Sequence, residues 1–136
     1  PLFHLGVNDS LLKGAIVFAL SCRSAKELGG GCVACGTKAY IGYDDDFIFF
    51  YDESSVTRPL SDNTARLYLE PSNMVINSIV KGNKAEQAYA KSQKSFRENI
   101  RKLMTSESPQ TDKSHIPWLL WDMNHQVCLG NSDAAV

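Results

Sequence analysis

Apolar positions form short continuous runs in the front of this chain and periodic stripes in the back. Ala15–Leu20 is six apolar residues in a row, with β-branched Ile16 and Val17 and the aromatic Phe18. That length and content predict a strand buried on both faces, as in a parallel sheet. Leu11 and Leu12 precede Lys13-Gly14, a turn signal. After the strand, Ser24–Leu28 allows about one helical turn. Gly29-Gly30-Gly31 predicts a break, because glycine loses the most backbone freedom on ordering. Cys32–Gly36 predicts a second short turn of helix, Lys38–Tyr43 a second strand, and the aromatic Phe47–Tyr51 a strand or buried loop.

From residue 53 the pattern changes. Glu53–Ser61 is polar, contains Pro59 and reads as a loop. Asp62–Glu70 reads as a helix that Pro71 breaks. Ser72 then caps a helix over Asn73–Lys81, and Gly82 sits at its end as a C′ residue. Asn83 caps the longest helix, Lys84–Thr105, with Glu86 three residues on, in the manner of a capping box. Ala85, Ala88, Ser92, Phe96, Ile100 and Leu103 step by three or four along it and form one face. Lys91, Lys94, Arg97, Glu98 and Lys102 form the opposite, solvated face. Ser106–Ser114 reads as a polar loop. His115–Asp122 and Gln126–Leu129 read as a hairpin around Met123-Asn124-His125, with Trp118 and Trp121 on opposite faces of a strand and Gly130–Val136 as a tail. Strands, short helices, long helices and a last hairpin in this order predict one α/β domain with helices flanking a sheet in three layers.

Composition narrows the classes of partner. The chain has 136 residues, 43% hydrophobic and 21% charged, with a net charge of −1. That balance gives no electrostatic reason to expect nucleic acid or an anionic membrane surface. No apolar run approaches the ~20 residues that span a bilayer, and there is no signal-peptide pattern. The first residue is Pro1 rather than Met, so processing or a longer parent protein is expected. Four cysteines are too few for a disulfide scaffold and predict reduced thiols in a cytoplasmic protein.

Candidate chemistry starts at Cys22. The first strand runs directly into Ser21-Cys22-Arg23-Ser24, which delivers a thiol to the carboxyl edge of the sheet, where open α/β folds place their sites. Small neighbours leave room for a substrate carbonyl, and amides around Cys22 and Arg23 can face an oxyanion. A buried cysteine packed as a small hydrophobe is the alternative, and position alone leaves both open. Cys32-Val-Ala-Cys35 is a C-x-x-C. Packing explains it best; a zinc site would need a second matched pair, and a thioredoxin-type pair would follow its strand at once. No phosphate-cradling Gly-x-Gly-x-x-Gly follows a strand, which counts against a flavodoxin-like binder.

Val17–Ala25 followed by Gly36-Thr-Lys-Ala-Tyr-Ile-Gly-Tyr43 resembles the catalytic-cysteine segment of caspase-like peptidases, most closely the CHAT group. Pro71-Ser-Asn, Gly82-Asn-Lys-Ala-Glu-Gln-Ala-Tyr and Leu119-Leu-Trp-Asp…Val127-Cys-Leu-Gly130 resemble the later parts of such domains, so the likeness covers about residues 14–131. The resemblance implies a caspase-like fold incomplete at its N-terminus and a cysteine endopeptidase working through a Cys–His dyad on a protein or peptide substrate, without a cofactor. It implies Cys22 as nucleophile and a histidine on the preceding strand. His4 is the upstream histidine in this chain, eighteen residues before Cys22. The roughly ten residues left for a crossover fall short of the dozen that a parallel connection takes. The histidine is therefore also sought upstream of Pro1, in an activating partner chain, or nowhere. Asp44, Asp45 and Asp46 follow the second strand at the same edge. In such peptidases an acidic pocket accepts Arg or Lys, which makes these three candidates for substrate binding; a solvated acidic turn is the simpler account. The alternative function is a catalytically inactive module that binds a protein partner through an unpaired sheet edge. For His115 and His125 a surface or hairpin role is expected.

Overall fold

A computed structural model describes residues 2–105 and 107–136. The protein is a mixed α/β fold around a three-stranded sheet. The strands are β1 (Ile16–Phe18), β2 (Ala39–Tyr43) and β3 (Gln126–Gly130), in the order β1-β2-β3. β1 runs parallel to β2, with Val17 opposite Tyr40. β3 runs antiparallel to β2, with Cys128 opposite Ile41. Every residue of the central strand β2 is buried. β1 is shorter than Ala15–Leu20, although the ladder reaches Ala15 and Ala19 through Lys38 N–H to Ala15 O and Ala19 N–H to Ile41 O. It is half-buried rather than buried on both faces, because it lies at the edge of the sheet.

The pleat sends alternate side chains to opposite faces. Ala39 and Ile41 pack with Val75, Ile79, Ala85 and Ala88 from two long helices, α2 (Asn63–Val80) and α3 (Ala85–Leu103). Tyr40 packs on the other face with Ala25 and Cys32. These lie on a wide π-type turn, Ala25–Gly29, that leads into the short α1 (Gly30–Ala34). Helical layers thus cover both faces of the sheet. A further cluster of Tyr68, Phe96, Ile100, Leu103 and Leu119 extends the core beyond the strands.

Four expectations fail for physical reasons. Gly29-Gly30-Gly31 is helical, not a break. A Cβ on Gly29 would stand 3.0 Å from the Tyr40 ring and 3.1 Å from Leu129, so glycine here lets a helix approach the sheet closely. Pro71 lies inside α2, and Asn73–Lys81 is no separate helix capped by Ser72. Proline removes the N–H that would serve the Leu67 carbonyl four residues back. The Asn99 side-chain amide of α3 donates to that carbonyl instead, at 3.0 Å, and the Ser92 hydroxyl donates to the Pro71 carbonyl at 2.7 Å. The α3 cap also differs: Lys84 is the N-cap, its N–H bonded to the Gln87 side chain at 3.0 Å. Finally, the expected strand His115–Asp122 is helical. α5 (Ile116–His125), with Pro117 in its first turn, follows the short α4 (Gln110–Lys113) and runs straight into β3. Leu119 and Asp122, three apart, face inward, and Trp118 and Trp121 are partly exposed.

Asn99 has a measurable share in this packing. Asn99→Ala leaves the Leu67 carbonyl without its donor and should cost about 1–3 kcal/mol in urea unfolding. Pro71→Ala restores the helical N–H, so the double variant Pro71→Ala/Asn99→Ala should lose less than the two single losses added. Simple additivity would show that Asn99 does not compensate for the proline.

Candidate active site at the carboxyl edge of the sheet

β1 and β2 are parallel, so their carboxyl ends lie at one edge, and β3 begins there. Residues 21–24 and 44–47 and His125 therefore meet. Cys22 stands on the turn between β1 and the π-type turn and is exposed. Its Sγ lies 3.8 Å from the Phe47 carbonyl oxygen. Ser24 N–H reaches the Ser21 carbonyl at 3.3 Å and closes the turn. Arg23 has φ of 57° and is the non-glycine residue with left-handed backbone among those described. Its N–H donates to the Asp45 carbonyl at 3.0 Å. The Arg23 amide, expected to face an oxyanion, is thus already committed to β2's exit.

Cys22 opens onto a cleft of about 520 Å³. Phe3, His4, Ser21, Glu27 and Leu28 also line it, so the N-terminal segment folds back over the exit of β1 and brings His4 to the same cleft as Cys22. A tight turn holds His4: its carbonyl accepts from Val7 and Asn8 N–H, each at 3.2 Å, and its own N–H donates to Asn8 Oδ1 at 2.7 Å. No crossover helix is involved. His4 arrives on an irregular segment rather than on a neighbouring strand.

Asp44, Asp45 and Asp46 all have side-chain partners. Asp44 Oδ1 pairs with His125 Nδ1 at 2.7 Å. Asp45 Oδ1 accepts the Asp46 N–H at 2.8 Å and Arg23 Nε at 3.2 Å. Asp46 takes Arg23 Nη2 at 3.1 Å through Oδ2 and Nε at 3.1 Å through Oδ1. The Asp46 N–H, then the Arg23 guanidinium, hold the Asp45 carboxyl below its ordinary range. The Trp121 indole N–H donates to the Asp46 carbonyl at 2.9 Å, and its ring lies 4.2 Å from that of His125. Asp45 and Asp46 thus face the Arg23 guanidinium and Asp44 faces His125, and the three lie beside the Cys22 cleft rather than in its lining, whose charged residues are Arg23, Lys26 and Glu27.

The remaining candidates lie elsewhere. Cys32 is fully buried, and burial pushes its thiol up. Cys35 donates to Asp9 Oδ2 at 3.5 Å, and that bond raises its thiol. Cys32 packs against the sheet near the end of the β1–β2 connection, and Cys35, three residues on, is exposed. His115 bonds the Tyr68 hydroxyl through Nδ1 at 2.7 Å against the Phe50 ring, in the helical core.

Two residues near the edge were not anticipated. The His125–Asp44 pair joins positions 81 apart in sequence, and nothing local marks it. Asp122 is fully buried on α5. Its Oδ1 accepts the Ile48 N–H at 2.8 Å, which ties α5 to the segment after Asp46. Among the described residues its Oδ2 has no partner, and burial pushes its pKa up to about 7. Reading residues 116–125 as a helix would have exposed Asp122 as a carboxyl on an inward face. No helix among the described residues is long and apolar enough to cross a membrane. Comparison with protein-family models, curated proteins and solved structures finds no match for this chain, so the chemistry of the edge rests on its own geometry.

Proposed function

We propose that this domain is a caspase-like cysteine endopeptidase with Cys22 as its nucleophile. The observation that carries the reading is the seat of Cys22: exposed, on the turn that ends a parallel strand, in one cleft with His4. His4 takes the thiol proton, and the thiolate adds to the scissile carbonyl. The tetrahedral oxyanion turns toward the Cys22 amide, since the Arg23 and Ser24 amides of the turn are bonded to Asp45 and Ser21. The imidazolium of His4 then returns the proton to the leaving amine. Water hydrolyses the thioester that remains and frees the thiol. The acidic run Asp44, Asp45 and Asp46 beside the cleft favours a basic residue next to the scissile bond. The intracellular, reduced setting expected from the cysteines suits such a thiol enzyme.

A panel of fluorogenic peptides that differ only in the residue before the cleaved bond tests this reading. Cleavage after Arg or Lys, with Asp and Leu peptides at least tenfold slower, is the expected result. A second reading has one observation in its favour: β1 pairs only with β2 among the described strands, which leaves a strand edge for a protein partner. Failure to cleave any peptide in the panel would favour that inactive, partner-binding module.

A further inference from the structure

We propose that Arg23 is a positioning residue for Cys22: its guanidinium, anchored on Asp45 and Asp46, clamps the turn that presents the thiol to the exit of β2. This inference rests on the reading of Cys22 as the nucleophile and adds what holds it in place. A left-handed backbone is unfavourable for an L-residue, because its Cβ crowds the following carbonyl oxygen, and arginine, unlike glycine or asparagine, has no intrinsic reason to adopt it. Arg23 keeps φ of 57° because several bonds reach one short segment. Its N–H holds the Asp45 carbonyl, its Nε lies 3.2 Å from Asp45 and 3.1 Å from Asp46, and its Nη2 reaches Asp46 at 3.1 Å.

The anchor is itself tied down. Trp121 of α5 holds the Asp46 carbonyl, and His125 holds Asp44. Ile48, two residues past Asp46, is bonded to Asp122. The next carbonyl after Asp46, that of Phe47, is the one beside Cys22 Sγ. The turn carrying the thiol is thus registered against a segment fixed by α5 and β3, with Arg23 as the link. A planar fork suits two neighbouring carboxylates better than an ammonium does. The ion pair is exposed, so its value lies in fixing geometry rather than in stability.

Hydrogen exchange on the full chain tests the clamp, read by mass spectrometry on fragments covering residues 20–28 and 85–103. Arg23→Gln and Asp45→Asn/Asp46→Asn should each speed exchange in 20–28 at least fivefold and leave 85–103 unchanged. Combining them should add nothing further, because both remove one link. Arg23→Gly, which accepts the backbone angle freely, should behave like Arg23→Gln, and Arg23→Lys should restore part of the protection. On a peptide that the unaltered protein cleaves, kcat should fall about tenfold in Arg23→Gln, and Arg23→Lys should recover part of that loss. Unaltered exchange in 20–28, multiplicative effects, or full protection in Arg23→Gly would overturn the clamp. If exchange responds as expected and no form cleaves peptide, the clamp stands and the peptidase reading falls. If exchange is unaltered and cleavage depends on Cys22, the clamp falls and the peptidase reading stands. Should Arg23→Gln fail to fold, the unaltered protein in 1 M salt serves: screening should loosen 20–28 selectively, and equal exchange at low and high salt would overturn the proposal.

Discussion

Cys22→Ala should abolish peptide cleavage, with an expected loss of at least ~10³-fold in kcat/KM and no change in the unfolding midpoint. The two halves of that result follow from the same fact. Cys22 is exposed and its Sγ makes one long contact, to the Phe47 carbonyl, so truncation leaves no cavity and orphans no buried group. A loss of activity without a loss of stability therefore isolates chemistry. Cys22→Ser is the stricter version: it keeps the shape and the hydrogen bond but replaces sulfur by the less nucleophilic oxygen, and activity should still be lost. His4→Ala should lower the rate by about 10²–10⁴-fold, the usual share of a general acid–base group. Retained activity in Cys22→Ala would move the nucleophile elsewhere.

Asp122→Asn has the second large effect, on the pH dependence of stability. The Asp122 carboxyl has a pKa of about 7 in the folded protein against 3.8 as a free group. A raised folded-state pKa means that the folded chain holds the proton through the window in which the unfolded chain has released it. Stability from this group is fully present below about pH 4, declines as pH rises toward 7, and is gone above 7. The full swing is on the order of 4 kcal/mol. Asparagine keeps an oxygen for the Ile48 N–H and cannot ionise. Urea unfolding from pH 4 to pH 8 should therefore show the variant gaining steadily on the native sequence, with most of the gain complete at pH 8. The same pH slope in both proteins would show that Asp122 does not titrate in this range. Because Asp122 anchors the segment that follows Asp46, its ionisation also bears on the ground against which Cys22 is set.

Much of this architecture could be read from local pattern. The strand cores at Ile16–Phe18 and Ala39–Tyr43 and the long helix Ala85–Leu103 appear where apolar continuity or a three-to-four step predicts them. Gly82 also takes the left-handed backbone expected of a C′ residue, with φ of 79°. Two of the misses share a cause: each depended on a partner distant in sequence. Pro71 reads as a breaker until Asn99 supplies the missing donor from another helix. Three glycines read as a break until the fold places Gly29 against Tyr40 and Leu129, where a side chain would crowd the sheet. Residues 116–125 form a short, strongly apolar stretch, for which length and content do not separate strand from helix. At the site, Cys22 and His4 were legible as chemistry-bearing residues, and their shared cleft was not, since it forms only when residues 2–5 fold over β1. The acidic run was visible as charge, but its pairing with Arg23 and His125 is a tertiary fact.

Covalent capture is the sharpest test of Cys22 as the nucleophile. A peptidyl acyloxymethyl ketone with arginine next to the electrophilic carbon reports which thiol is both nucleophilic and seated beside a substrate-binding edge. Intact-mass analysis should give one adduct, and fragment mapping should place it on Cys22, with exposed Cys35 unmodified. An adduct on Cys35 or Cys128, or none while iodoacetamide still labels Cys22, would contradict a peptidase built on this thiol.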